Sequence, residues 1–149
     1  MKNTVLIILF LAGIHQMFSQ ELDLPEYEWK NRVVLIITNG NSSLRKQQLY
    51  ELHSSLREFE ERKLAFFEIQ PQRYRRISLK LKTENQDNWI YSEQPYEKYK
   101  SKKSKFKVLL IGLDGGIKNK RTKKIFTQKE LFSIIDGMPM RRRELKRNH

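Results

Sequence analysis

Three short apolar runs set the rhythm of this chain. They are Arg32–Thr38 (RVVLIIT), Leu64–Ile69 (LAFFEI) and Phe106–Leu113 (FKVLLIGL), each β-branched or aromatic and each bounded by turn residues. Continuous runs of this length predict strands buried on both faces. Asn39-Gly40-Asn41-Ser42-Ser43 breaks the first run with turn and cap residues. Leu44–Lys63 then predicts a helix, with Leu49, Leu52, Leu56 and Phe59 at three- and four-residue steps along one stripe. Pro71 ends the second run. In the middle stretch, Gln72–Lys105, the alternation Ile77-Leu79-Leu81 predicts a short exposed strand. Thr83–Asn88 reads as a loop, and Tyr96–Lys103 as a basic helix. After the third run, Asp114-Gly115-Gly116 supplies a tight hairpin turn. Ile117–Phe126 is its Lys-rich antiparallel partner, suited to a sheet edge. Thr127 with Glu130 spells a capping box for a last helix that buries Leu131, Phe132, Ile134 and Ile135. Gly137 stops that helix, and Pro139 is expected to prevent its continuation.

The order is β-α-β, a less regular middle, then β-β-α. That is the layout of a thioredoxin-like α/β domain, a three-layer sandwich with a mixed central sheet.

The first residues predict a leader. Lys2 precedes the apolar run Val5–Gly13, and Ser19 offers a small residue for cleavage, leaving Gln20 as the new terminus. The run is short of the about 20 apolar residues that a membrane span needs, so the processed chain is not expected to be transmembrane; the alternative is an uncleaved anchor. No cysteine follows the run, which excludes a lipid-anchored lipoprotein. The expected location is exported, periplasmic or secreted. The remaining about 130 residues are the size of one domain. The organisation read from the sequence is a signal peptide at 1–19, a lead-in at 20–31, the folded domain at 32–140 and a basic tail at 141–149.

Charge changes the picture more than composition does. The chain carries a formal +13, and it is unevenly placed. Eleven basic residues lie between Lys98 and Lys124, opposed by Asp114 alone, and Arg141, Arg142, Arg143, Lys146 and Arg147 follow against Glu144. Such asymmetry speaks to partners and solubility. Lys118, Lys120, Arg121, Lys123 and Lys124, together with Arg141, Arg142 and Arg143, form the candidate polyanion-binding residues. The matching partners are anionic glycans, lipid headgroups or released nucleic acid, and a protein partner is a further possibility. Tyr96, Tyr99 and Phe106 are candidates to stack on sugar rings or bases. No motif for reading DNA sequence is present. The competing explanation is a solvated edge that resists aggregation.

The chain resembles a known family at Ile111-Gly112-Leu113-Asp114-Gly115-Gly116-Ile117-Lys118 and at Asp136-Gly137-Met138-Pro139-Met140-Arg141-Arg142, with RVVLIIT at the position of the family's first unit. That family is DUF4174, related to the DUDES domains of extracellular-matrix sushi-repeat proteins. The resemblance spans nearly all of the chain after the leader. It implies a thioredoxin-like, peroxiredoxin-related fold in secreted or periplasmic proteins and implies no established reaction.

In such folds the redox cysteines sit where the first strand meets the first helix. Here that place reads Asn39, Gly40, Asn41, Ser42 and Ser43. The chain has no cysteine, so thiol redox catalysis, CxxC chemistry and cysteine metal sites are excluded. The loop reads either as a ligand site at a helix N-terminus or as a turn with an N-cap. His15 lies in the leader, His149 is the last residue, and His53 falls within the first predicted helix. One histidine makes neither a serine triad nor a zinc site. No catalytic residue, metal site or cofactor is expected. The functional expectation is a non-redox binding or envelope-associated module with a basic face. The alternatives are an enzyme with a non-thiol site at the strand 1/helix 1 loop and a structural protein-interaction module using Trp29, Trp89 and Tyr91.

Overall fold

The computed structural model describes residues 22–52, 55–79 and 88–147. The leader, His53 and most of the predicted 83–88 loop lie outside these residues.

One mixed sheet organises the molecule. Strand β1, Arg32–Thr38, is buried along its whole length, as its unbroken apolar run requires. It pairs in parallel with β2, Leu64–Gln70, from Arg32 opposite Leu64 to Ile37 opposite Ile69. On its other side it pairs antiparallel with β5, Phe106–Ile111. A tight turn at Pro71-Gln72 folds β3, Arg73–Ile77, back along β2, and the two-residue β4, Ile90–Tyr91, adds to its outer side. The hairpin at Asp114–Gly116 delivers β6, Ile117–Arg121, as the opposite edge. Gly115 takes φ of 71°, which a side chain resists. The strand order is β4-β3-β2-β1-β5-β6.

Alternation along these strands makes two cores. Val34, Ile36, Phe66, Val108 and Leu110 face one way. They are covered by α1 (Ser43–Glu51), α2 (Leu56–Glu61) and α4 (Gln128–Asp136), through Leu52, Phe59, Leu131 and Ile135. Val33, Leu35, Ile37, Phe67, Leu109 and Ile111 face the other way. That face is covered by a 3-10 turn at Leu24–Tyr27 and by α3 (Gln94–Tyr99), through Tyr27, Tyr96 and Tyr99. The result is a three-layer α/β sandwich with a six-stranded mixed sheet, as expected.

The capping box forms as read. Thr127 accepts from the Glu130 N–H, and the Glu130 carboxylate accepts from the Thr127 N–H. A hydrogen bond from Arg121, reinforced by the Thr127 N–H, holds the Glu130 carboxyl down to about 2. The box is therefore formed above the ordinary carboxylate value of 4.5 and weakens as pH falls toward 2.

Several elements differ from the expectation, each for a local reason. The predicted helix Leu44–Lys63 is two helices, because α1 closes at Leu52 and α2 restarts after Ser55, a residue type that favours helix ends. Of the strand expected at 77–81, Leu81 lies outside the described residues, and the strand observed is Arg73–Ile77, which includes Ile77 but not Leu79. The basic helix is shorter and begins earlier, at Gln94, with Pro95 in its first turn. β6 stops at Arg121 and does not reach Phe126. Gly137 ends α4, but Pro139 does not end the helical region. It opens α5, Pro139–Arg147, where proline's missing N–H costs nothing. None of the described helices is long and apolar enough to cross a membrane.

Candidate functional site: a lysine cleft beside the sheet edge

The carboxyl end of β1 is where a thioredoxin-like redox centre would stand, and here Thr38, Gly40 and Ser42 bond within the turn while Asn39, Asn41 and Ser43 are exposed. Thr38 Oγ1 donates to Gly40 O at 2.8 Å, and the Ser42 N–H donates to the same carbonyl at 3.2 Å. Ser42 caps α1, its Oγ accepting from the Arg45 N–H at 3.1 Å. Asn39 N–H donates to Lys105 O at 3.2 Å. These bonds are those of a turn and N-cap.

Behind the loop lies Glu68 on β2, fully buried. Its Oε1 accepts from Arg45 Nε of α1 and from Gln70 Nε2 at 3.0 Å. Its Oε2 accepts from Arg75 Nε at 2.9 Å and meets Arg75 Nη2 at 2.8 Å. Burial alone would raise its pKa. The hydrogen bonds and charges of Arg45 and Arg75 overturn that and hold it below 4.5. A carboxylate with both oxygens so engaged is a poor general base, so this end of the sheet braces the fold. Trp89 covers the same cluster, with the guanidinium groups of Arg73 and Arg75 at 4.2 and 4.6 Å from its ring centroid. Trp29 and Tyr91 remain exposed.

The eight cationic residues singled out from the sequence do not gather into one surface. Lys118 pairs with Asp114 at 2.6 Å. Arg121 turns to the α4 side, where it meets Glu130 at 2.7 Å, donates to Ile125 O and lies over the Phe126 ring. Arg141 is buried at 2% exposure and pairs with Glu61, Asp136 and Glu144. Arg142 and Arg143 are exposed on α5, which docks at the amino end of β1 through Arg32 and Glu144. The seven residues of β1, about 20 Å of strand, separate that end from the loop at Lys105. Lys123 and Lys124 are exposed on the loop after β6. Phe106 is buried at 2% and unable to stack on a ligand.

Lys120 falls in a candidate site with different company. On β5, Lys107 alternates with Phe106 and Val108, and so shares the face of Leu109 and Ile111. Lys120 is opposite Leu109, which sets it on that same face, diagonal to Lys107. α3 ends beside them. Its Tyr99 carbonyl accepts from Lys107 Nζ at 2.6 Å. The chain then crosses as Lys100-Ser101-Lys102-Lys103, anchored where Ser104 Oγ lies 2.8 Å from Phe106 O and 2.9 Å from Thr122 O. Lys100, Lys102, Lys103, Lys107 and Lys120, with Ser101 and Thr122, line an open cleft of about 410 Å³. Among the described residues no carboxylate lines it, and Lys100 alone of the five is tied to an acid, Glu97, at 2.6 Å. Burial, and then the charge of Lys120, push the Lys107 pKa below its ordinary value.

Sequence reasoning missed Lys100, Lys102, Lys103 and Lys107 as site residues. The signal was present in Lys98–Lys107, where lysine alternates with Tyr99, Ser101 and Phe106. What was lacking was the end of α3 at Tyr99, which turns the run across the face of β5.

A family described as a domain of unknown function, DUF4174, matches residues 23–144. The chain belongs to the DUF4174 family. Its match takes in the 3-10 turn, the whole sheet and α5 as far as Glu144, and so includes all five lysines of the cleft. The fold of this DUF4174 chain is similar to that of the reduced 2-Cys peroxiredoxin of Plasmodium vivax. The two share 15% identity with a TM-score of 0.51, over 81% of this chain and 71% of that one. At that identity the likeness establishes the thioredoxin-like fold alone. No curated protein sequence matches the chain.

Proposed function

We propose that this DUF4174 chain is an exported, non-redox binding module whose lysine cleft takes a multiply charged anion. The observation that carries the reading is the convergence of five lysines from three segments on one cleft that no carboxylate of the described residues lines. Ammonium groups so placed repel one another, and the Lys107 pKa is lowered first by burial and then by the charge of Lys120. A bound sulfate, phosphate or carboxylate cluster would relieve it. The apolar Val5–Gly13 run behind Lys2 supports export, which makes envelope glycans and lipid headgroups the relevant sources.

Two charge-reversal variants of equal charge change separate this site from general basicity. One carries Lys102→Glu, Lys103→Glu and Lys120→Glu, and the other Lys123→Glu, Lys124→Glu and Arg142→Glu. All six residues are exposed, so both variants are expected to fold. A lysine near an anionic surface contributes about 1 kcal/mol. The first variant is therefore expected to lose about a hundred-fold in affinity, and the second only a few-fold. Binding is measured on immobilised sulfated glycan and, separately, on phosphatidylserine vesicles, which distinguishes the two sources. Equal losses in the two variants on both surfaces would refute the cleft as the site.

A further inference from the structure

We infer that Lys107 is a nucleophilic amine placed to condense with an aldehyde that carries an anionic group. Three features of the cleft support this.

Lys107 is half-buried on a central strand, and its Nζ is held 2.6 Å from the Tyr99 carbonyl. The ammonium or the neutral amine can donate to that carbonyl, but only the neutral amine also offers a lone pair to the cleft. The charged groups around it are cationic. Lys120 comes from β6, and Lys100, Lys102 and Lys103 come from the α3–β5 segment. Its partner on β1 is the apolar Ile37. Glu97 on α3 is engaged by Lys100. Desolvation and a neighbouring ammonium are two of the means by which a lysine gains nucleophilic amine at neutral pH. The cleft, at about 410 Å³, has room for a small ligand, and its remaining lysines suit an anionic substituent.

The chemistry balances without a cofactor. The Nζ lone pair attacks the aldehyde carbon, a C–N bond forms, and the carbonyl electron pair passes to oxygen. The carbinolamine takes a proton from a neighbouring ammonium, for which Lys120 is placed, and loses water to give the protonated imine. The amine half of the inference stands apart from the anion-binding reading. The preference for an anionic aldehyde rests on it.

The test uses the full chain with substoichiometric pyridoxal 5′-phosphate near neutral pH, borohydride reduction of the imine, and peptide mapping of the adduct. Pyridoxal without its phosphate runs in parallel. Lys107 is expected to be the principal adduct with both aldehydes and to react faster with the phosphate ester. Lys120→Gln, at an exposed position, is expected to lower Lys107 modification about three-fold by both routes. Adducts spread over Lys102, Lys103, Lys123 and Lys124, with Lys107 minor, would overturn the inference. Lys107 leading at equal rates with the two aldehydes would overturn the anionic preference and count against the anion-binding reading, while leaving the reactive amine in place.

Discussion

Glu144→Ala is expected to destabilise the protein by about 4 kcal/mol, read as a fall in the urea midpoint of unfolding. The reason is Arg32, which opens β1 at 0% exposure. Its Nη1 and Nη2 each lie 3.4 Å from the Glu144 carboxylate, and Nη1 also donates to Arg62 O at 3.0 Å. Its Nε already has no partner among the described residues. Removing Glu144 leaves a buried guanidinium with one carbonyl for support, and breaking a buried pair from one side costs about 3–5 kcal/mol. The same carboxylate lies 3.7 Å from Lys63 Nζ at the start of β2, so α5 loses its hold at two points. The contrast is Arg142→Ala on the exposed face of that helix, expected to fall within about 0.5 kcal/mol of the parent. Equal, small effects from both substitutions would mean that α5 does not brace the amino end of β1.

Glu68→Gln is expected to cost about 3 kcal/mol, in the lower part of the same range. Arg45 and Arg75, at 19% and 16% side-chain exposure, reach some water once the carboxylate charge is gone. This substitution carries a pH signature. The folded pKa of Glu68 lies below its ordinary value of 4.5. Its contribution is therefore complete above pH 4.5 and is lost as pH falls through the folded value. The parent is expected to lose stability on acidification, and Glu68→Gln to lose less over the same window. Parallel stability–pH curves for parent and variant would contradict the ion network as drawn. The experiment also bears on function, since a Glu68 that braces the sheet is not a catalytic base.

Much of the fold was legible because three strands are buried on both faces, and such strands need largely apolar runs, interrupted within β2 and β5 by Glu68 and Lys107 alone. RVVLIIT, LAFFEI and FKVLLI announce themselves, and Thr127 with Glu130 marks a helix start in plain chemistry. β3 was illegible in detail because Arg73, Arg75 and Arg76 read as solvated charge. Arg75 is instead the cross-strand partner of Glu68, and Trp89 shields it and Arg73. α5 was hidden by Pro139, whose role as a first helical residue and as a stop signal look alike in one dimension. Arg141 shows the limit of reading charge from sequence. Three consecutive arginines suggest a solvated run, yet helical spacing sends Arg141 inward to Asp136, Glu61 and Glu144 while Arg142 and Arg143 stay out. The lysine cleft was half legible. Its charge was evident, but its membership depends on the register that seats Lys120 opposite Leu109 and on the turn after Tyr99.

On the reading proposed above, five lysines, and not the net charge of +13, make the binding surface. Lysine-resolved NMR of the chain from Gln20 onward, titrated with a short sulfated oligosaccharide and with a soluble short-chain phosphatidylserine, tests it most directly. One or both ligands are expected to shift the signals of Lys100, Lys102, Lys103, Lys107 and Lys120 together and saturably, with Lys123 and Lys124 little changed. Shifts spread evenly over all exposed lysines, or centred on Lys123 and Lys124, would contradict it.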